Sequence, residues 1–152
     1  MNKKLFVAGL ALALGAGFTL NAVAQVKPEI LVKQRQAAMT LQGKYFGPLG
    51  GMAQGKVPYD ANTVARNVGF LQALSHMPWD GFNPSTSGVK SQALPAIYKD
   101  AAKFKEAQDR LMGAVDKLAA ASKGGNEAAI KAAIGDVGKS CGGCHESFRE
   151  KQ

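Results

Sequence analysis

The sequence has only two cysteines, and they lie close together near the C-terminus, so a set of disulfides does not hold the chain together. Aromatic residues are few, and no segment shows the sustained polar and apolar alternation that is typical of a β-strand. Internal repeats and low-complexity segments are also missing. The composition, 46% hydrophobic and 20% charged over 152 residues, is that of a globular protein with one domain.

The longest apolar run stands at the N-terminus. Two lysines precede residues 5–20, which carry no charge, and Ala22-Val23-Ala24 follows as a small-x-small cleavage signature. The run is shorter than the roughly 20 residues that a membrane-spanning helix needs. The pattern predicts a cleaved signal peptide, residues 1–24, and one mature domain, residues 25–152, in the periplasm and without a membrane span. An uncleaved anchor is the alternative.

Acidic residues are outnumbered by basic ones, 11 to 19. Loss of the two signal-peptide lysines lowers the formal charge from +8 to +6. The remaining lysines are scattered along helical segments and are not interleaved with aromatic residues, as they would be in a nucleic-acid-binding stripe. We therefore predict a solvated basic surface and no nucleic-acid partner. Such a surface can steer the protein to acidic redox partners.

Four segments of the mature chain show the periodicity of amphipathic helices. Pro28 marks the start of the first, Asp60 caps the second, Pro95 opens the third and Asn126 caps the fourth. The second ends at Pro78, and a long irregular connection follows. Because the other connections are short, the sequence predicts an all-α fold, an antiparallel four-helix bundle.

The apolar stripe of each helix predicts its buried face. In the first helix the stripe comprises Ile30, Gln34, Ala37, Ala38, Leu41 and Tyr45. In the second it comprises Val64, Val68, Leu71 and Ser75, with Phe70, Leu74 and Met77 beside them. In the third it comprises Ile97, Ala101, Phe104, Leu111, Val115 and Leu118. In the fourth it comprises Ile130, Ile134, Val137, Cys141, Cys144 and Phe148, which places both cysteines on the inward face.

The sequence CGGCH at residues 141–145 is the attachment signature of a c-type haem. Cys141 and Cys144 would each add to one vinyl group of the porphyrin, and His145 follows as the proximal iron ligand. We therefore predict one covalently attached haem c. A thioredoxin-like dithiol, a plain disulfide and a zinc site are the alternatives, and for zinc only His76 could supply another nitrogen.

Several motifs together resemble cytochrome c′, the class II c-type cytochromes, over essentially the whole mature length. They are Arg35-Gln36-x-x-Met39, Lys56-x-Pro58-Tyr59-Asp60, Met77-Pro78-Trp79-x-x-Phe82, and the CGGCH sequence with Phe148-Arg149 after it. Class I cytochromes c place the haem motif near the N-terminus, whereas here any distal residue must come from upstream helices. The resemblance implies the four-helix bundle and a homodimer that pairs through the first two helices.

The residue on the far side of the iron decides the function. Met39 is the candidate, because it lies on the predicted inner side of the first helix and matches the distal position of cytochrome c′. A thioether bound to iron gives a low-spin haem suited to electron transfer, whereas a thioether that only packs over the iron leaves a site for a small ligand. Met39 as an ordinary core residue and His76 as a second nitrogen ligand are further alternatives.

The resemblance favours the open site, which is a five-coordinate high-spin haem that binds nitric oxide and carbon monoxide. The expected protein is a binding module and not an enzyme, because the sequence shows no distal acid–base pair that would support peroxide chemistry. The alternative is a low-spin, methionine-ligated class II cytochrome c that carries electrons between redox proteins.

The resemblance also implies further contacts with the haem. Arg35 pairs with a propionate and Gln36 lines the haem beside it, unless Arg35 is a solvated helix charge. Arg149 lies on the proximal side, one turn after the histidine, or pairs with Glu146 at the surface. The last two candidates belong to the connection after the second helix. From its chemistry alone, the indole of Trp79 can cover a haem edge or cap the bundle, and Gln92 is at the position where the family has a polar haem contact.

Overall fold

The structure is a computed structural model that describes residues 26–151. Its helices are α1 (Pro28–Ala53), α2 (Ala61–Leu74), α3 (Ala96–Lys99), α4 (Ala101–Gly124) and α5 (Glu127–Phe148). The four long helices form the antiparallel bundle, which confirms the predicted fold class. Within the described residues the only strand-like pairing is one bridge between Ala93 and Arg149. The predicted signal peptide lies outside the described residues.

Side-chain caps start three of the four long helices. Asp60 accepts a hydrogen bond from the Thr63 backbone N–H, and Asn126 accepts one from that of Ala129, as the sequence predicts. The start of the third helix differs from the prediction. Pro95 opens only the single turn α3, because Asp100 adopts a non-helical backbone conformation and caps α4 instead.

The glycine-rich end of α1 stays helical. The helix runs through Gly43 and Gly47, includes Pro48 in its interior, and ends at Ala53. Glycine and proline are both unfavourable inside a helix. Burial of Leu49 and Met52 in the main core, together with Leu118, Val115 and Ile134 of the other helices, outweighs that local preference.

The buried faces of α2, α4 and α5 largely follow the predicted stripes. Val64, Val68 and Leu71 of α2 are buried, and so is Ser75 directly after it. Ile130, Ile134, Val137 and Phe148 of α5 are buried too, and both cysteines are partly buried beside them. In the predicted third helix Ala101 is exposed, whereas the other five members of the stripe are buried.

The predicted buried face of α1 is wrong. Only Ala38 of that stripe is buried, while Ile30 and Leu41 are exposed. The face that packs into the bundle comprises Val32, Arg35, Ala38, Gln42, Leu49 and Met52. Two polar side chains stand on this inner face, so the apolar pattern indicated the wrong side of the helix.

The large apolar residues that remain exposed are concentrated in one part of the molecule. On α2 and just after it, Phe70 and Met77 of the neighbouring predicted stripe are 45% and 58% exposed. Among the described residues, every large exposed hydrophobic residue is on α1, on α2 or in a segment adjoining them. These six residues are Val26, Ile30, Leu41, Val57, Phe70 and Met77.

Within 26–151, no helix is both long and apolar enough to cross a membrane.

Candidate haem site

A cavity of about 700 Å³ opens between α1, α4, α5 and the connection that follows α2. This size is within the range of cofactor sites. All nine residues predicted from the sequence to contact haem line it: Arg35, Gln36, Met39, Trp79, Gln92, Cys141, Cys144, His145 and Arg149. Much of the remaining wall is apolar, with Phe46, Leu71, Phe82, Ile97 and Val115 among its residues. The structure thus brings the candidates together, and their individual haem contacts stay predictions.

The two thiols lie on the inward face of α5 and are not joined by a disulfide. Burial raises the pKa of the Cys141 thiol, and the nearby Cys144 raises it further. Burial also raises the pKa of the Cys144 thiol, against the opposing charge of Arg110. A reactive dithiol of the thioredoxin type has an attacking thiol with a lowered pKa. The opposite direction here disfavours that alternative.

His145 follows the second thiol at the edge of the cavity. Partial burial lowers the pKa of its imidazole, and the positive charge of Arg149 lowers it further. The ring is therefore neutral at pH 7, which is the state in which imidazole binds a metal. The chemistry of this donor set, two thiols and a neutral imidazole on one helix face, fits covalent haem attachment with one axial nitrogen.

Met39 lines the same cavity from α1. The Phe46 ring packs against Gly138, where a Cβ atom would lie 3.4 Å from it. Because α1 and α5 run antiparallel and each helix advances about 1.5 Å per residue, this contact sets the register between them. Met39 is seven positions before Phe46, and His145 is seven positions after Gly138. Met39 and His145 therefore lie at about the same height along the two antiparallel helices. This placement agrees with a distal position for Met39.

Arg35 lines the cavity and is buried, with only 3% of its surface exposed. Its guanidinium donates to the Gly81 carbonyl at 2.7 Å and lies 4.3 Å from the centre of the Phe82 ring. It also donates to three hydroxyl groups, those of Thr86, Ser91 and Tyr98. None of these partners carries a negative charge.

Within the described residues, Arg35 makes no ion pair with a carboxylate. A buried charge is costly unless an opposite charge compensates it. The guanidinium therefore fits a group that brings a carboxylate into the cavity, as a haem propionate would. The alternative of a solvated helix charge is wrong, because the side chain is buried.

Gly81 allows the connection to lie directly on α1. A Cβ atom at this position would be 2.8 Å from the Arg35 Cβ and 2.9 Å from the Leu31 carbonyl oxygen. Contacts this short do not occur between packed groups, so any larger residue would push the chain away from the helix. Glycine here fixes where the connection, with Trp79 and Gln92, borders the cavity.

Arg149 and Gln92 are hydrogen-bonded to each other on the side of the cavity that His145 lines. The Arg149 Nε donates to the Gln92 Oε1 at 3.1 Å. Two backbone hydrogen bonds flank this contact, from Leu94 to Phe148 and from Glu150 to Gln92. The end of the connection is thereby tied to the end of α5. Arg149 pairs with Gln92 and not with Glu146, which was the alternative partner from the sequence.

Trp79 belongs to an aromatic cluster beside the cavity. Its ring centre is 6.1 Å from that of Phe82 and 6.2 Å from that of Phe104, and Phe104 also contacts Phe148 at 5.2 Å. The indole N–H donates to the Ser75 carbonyl at 2.6 Å. Trp79 packs against both hydrophobic clusters of the bundle and lines the cavity, so the two roles considered for it are compatible.

Some lining residues were not predicted from the sequence. Gln42 and Ser91 are polar members of the wall, and Phe46 sets the register of α1. The signal for Gln42 was its spacing, three residues after Met39. His76 is exposed and does not line the cavity. No group of three or more metal-binding side chains occurs in the described part of the chain, which disfavours the zinc alternative.

Comparison with known proteins agrees with this geometry. Residues 31–149 match the family model described as Cytochrome C′. The cytochrome c′ of Rubrivivax gelatinosus is 47% identical over 126 residues, which cover 82% of this chain and 98% of the relative. The crystal structure of a cytochrome c′ from that organism superposes with a TM-score of 0.78 at 46% identity and covers 82% of this chain and 98% of its own.

Two further solved structures contain a bound gas. A nitric oxide complex of a cytochrome c prime variant from Alcaligenes xylosoxidans has a TM-score of 0.78 at 42% identity, covering 84% of this chain and 99% of that one. A carbon monoxide complex of another variant of that protein has a TM-score of 0.77 at 43% identity, covering 83% and 98%.

Proposed function

Because this chain belongs to the cytochrome c′ family and binds haem c, we propose that it takes up nitric oxide and carbon monoxide at a five-coordinate haem iron. The observation that carries the proposal is the cavity, which the thiols and the imidazole of α5 line together with the apolar side chain of Met39. Gas complexes of a protein that is 42–43% identical support the choice of ligands.

Each site residue has a defined task in this proposal. Cys141 and Cys144 would hold the haem through thioether bonds, and His145 would supply a nitrogen ligand to the iron. Arg35 neutralises a propionate inside the bundle, and Met39 covers the open side. When bound, haem supplies an iron centre with one free position for a diatomic ligand. The proposal is for a binding protein and assigns no catalytic step.

A visible absorption spectrum tests the proposal. The mature holoprotein is reduced with dithionite, and spectra are recorded before and after nitric oxide is added. We expect the broad bands of a high-spin haem, which change when the gas binds. Sharp split bands that do not respond to the gas would contradict the proposal, because they indicate that a protein side chain already occupies the sixth position.

The second candidate function is electron transfer through a low-spin haem, and the level placement of Met39 and His145 favours it. Met39→Ala separates the two candidates. If the methionine only covers the iron, the variant binds carbon monoxide faster with no change of spin state. If its thioether is a ligand, the variant loses a low-spin spectrum. Reduction by an acidic partner that weakens with added salt would also support electron transfer.

We also propose that the mature protein is an exported homodimer. The exposed apolar side chains of α1 and α2 support pairing through these two helices, because a second copy would cover them. Sedimentation that gives only the monomer mass at high concentration would contradict pairing. Export rests on the predicted signal peptide, and periplasmic protein whose N-terminus is found to be Gln25 would support it.

A further inference from the structure

Gln42 is a buried polar side chain in the cavity wall that no proposed haem contact uses. It is 8% exposed and stands on the inner face of α1. Its Nε2 donates to the Leu74 carbonyl at 3.0 Å, which fixes the orientation of the amide, since an amide oxygen would be repelled there. Met77 N also donates to the same carbonyl, so the end of α2 does not depend on Gln42 alone.

The amide oxygen of Gln42 is the other polar atom of this side chain, and the residue lines the cavity. Among the described residues, no group donates a hydrogen bond to Gln42 Oε1. Every fully buried side-chain oxygen or nitrogen in these residues has a partner, so Oε1 is not fully buried. Oε1 is therefore open to a solvent-sized molecule. Because the residue lines the cavity and is otherwise buried, that contact is made inside the cavity. Much of the cavity wall is apolar and offers no donor to this oxygen, so the position favours a small molecule that can donate a hydrogen bond.

Gln42 lies on the same stripe of α1 as the predicted distal residue. Arg35, Met39, Gln42 and Phe46 follow one another at intervals of four, three and four, and all line the cavity. Residues three apart on a helix are neighbours, with about 5–6 Å between their Cβ atoms. Leu71 of α2, which is apolar and buried, lines the same cavity. Gln42 thus places an amide acceptor within one helical turn of Met39.

We propose that Gln42 Oε1 binds one water molecule on the Met39 side of the cavity, and that an incoming gas must displace it. The water donates one hydrogen to Oε1, and the thioether of Met39, a weak acceptor, is its second partner. Nitric oxide and carbon monoxide carry no hydrogen and cannot replace the bond to Oε1. The displacement rests on the proposed gas-binding function, whereas the water site rests on Gln42.

The crystal structure of the wild-type holoprotein tests the water site directly. We expect an ordered water about 2.5–3.0 Å from Gln42 Oε1, in the usual range for an O–H···O bond. Packing of Oε1 against apolar atoms, without water, would overturn the inference. This readout does not depend on whether the protein binds any gas.

Carbon monoxide association with the reduced holoprotein tests the displacement. Gln42→Leu removes the acceptor, and we expect association about fivefold faster, the factor that one net hydrogen bond represents. Gln34→Leu is the matched control, because Gln34 is exposed on α1 and does not line the cavity. Equal rates for Gln42→Leu and the wild type would overturn the displacement.

Two further outcomes are separable. A wild-type protein that binds no carbon monoxide refutes the proposed function and the displacement together, and the crystal structure still decides the water site. If Gln42→Leu does not fold, Gln42→Met keeps the side-chain length and removes the oxygen. Thermal unfolding of each variant measures the stability lost with the bond to Leu74. If Gln42 has only a structural role, its variants lose stability but bind carbon monoxide at the wild-type rate.

Discussion

Gly81→Ala should destabilise the protein strongly, because the added methyl group has no room. The new Cβ would lie 2.8 Å from the Arg35 Cβ and 2.9 Å from the Leu31 carbonyl oxygen. Neither atom is at the end of a flexible side chain, so the connection must move away from α1. Overpacking of this kind costs about 1–3 kcal/mol. The same movement lengthens the 2.7 Å bond from Arg35 to the Gly81 carbonyl, and a hydrogen bond from a charged group contributes about 1.5–3 kcal/mol.

The expected loss is therefore about 3–5 kcal/mol. For a domain of this size each kcal/mol lowers the Tm by roughly 2–4 °C, which gives a fall of at least about 6 °C. Thermal unfolding of the holoprotein, followed by circular dichroism, measures it. Gly88→Ala is the matched control in the same connection, because a Cβ atom there meets nothing within 4 Å. A Gly81→Ala variant as stable as the Gly88→Ala variant would refute the reasoning.

Four further predictions follow from the helices and the haem motif. Gly143→Ala should raise the free energy of unfolding by about 0.5–1 kcal/mol in denaturant titrations, because a Cβ there meets open space and alanine favours the helix; destabilisation would contradict this. Asn126→Ala should lower the free energy of unfolding by about 1 kcal/mol, because α5 loses its cap. Gln34→Ala is the control, because Gln34 is exposed and caps no helix, and it should have little effect. The hydrogen bond from the Thr63 backbone lowers the pKa of Asp60 in the folded protein. The ionised carboxylate therefore stabilises the fold fully above its unfolded pKa of 3.8, and this stabilisation is lost as the pH falls through the lower folded pKa. The stability difference between wild type and Asp60→Ala should therefore shrink in acid, and a difference that grows would contradict the assignment. The Cys141→Ala, Cys144→Ala double variant should lose covalent haem, and a mass spectrum that still shows the adduct would overturn the attachment.

The chemistry of the site could be predicted from the sequence because it is local. The two thiols and the histidine occupy five consecutive positions, and a helix places them together whatever the rest of the chain does. Helix starts at Asp60 and Asn126 were predictable for the same reason, since a cap bonds to a backbone group three residues away.

The inner face of α1 could not be predicted from hydrophobicity, because long-range partners decide it. Arg35 is buried there because the Gly81 carbonyl and three hydroxyl groups from the connection and α3 surround it. Gln42 is buried because the Leu74 carbonyl at the end of α2 accepts its N–H. Meanwhile Ile30 and Leu41, which hydrophobicity would place inside, are exposed. None of these partners is near in sequence.

The first and the last helix of the described chain both line the cavity, and this has a consequence for the order of folding. Met39 and Cys141 are more than 100 positions apart, whereas α4 and α5 are joined by a turn at Gly125 and Asn126. Local contacts form faster than those that close a long loop. The α4–α5 hairpin, which carries the attachment motif, should therefore form before α1 docks. A haem attached at that stage would serve as the surface onto which the N-terminal helix folds.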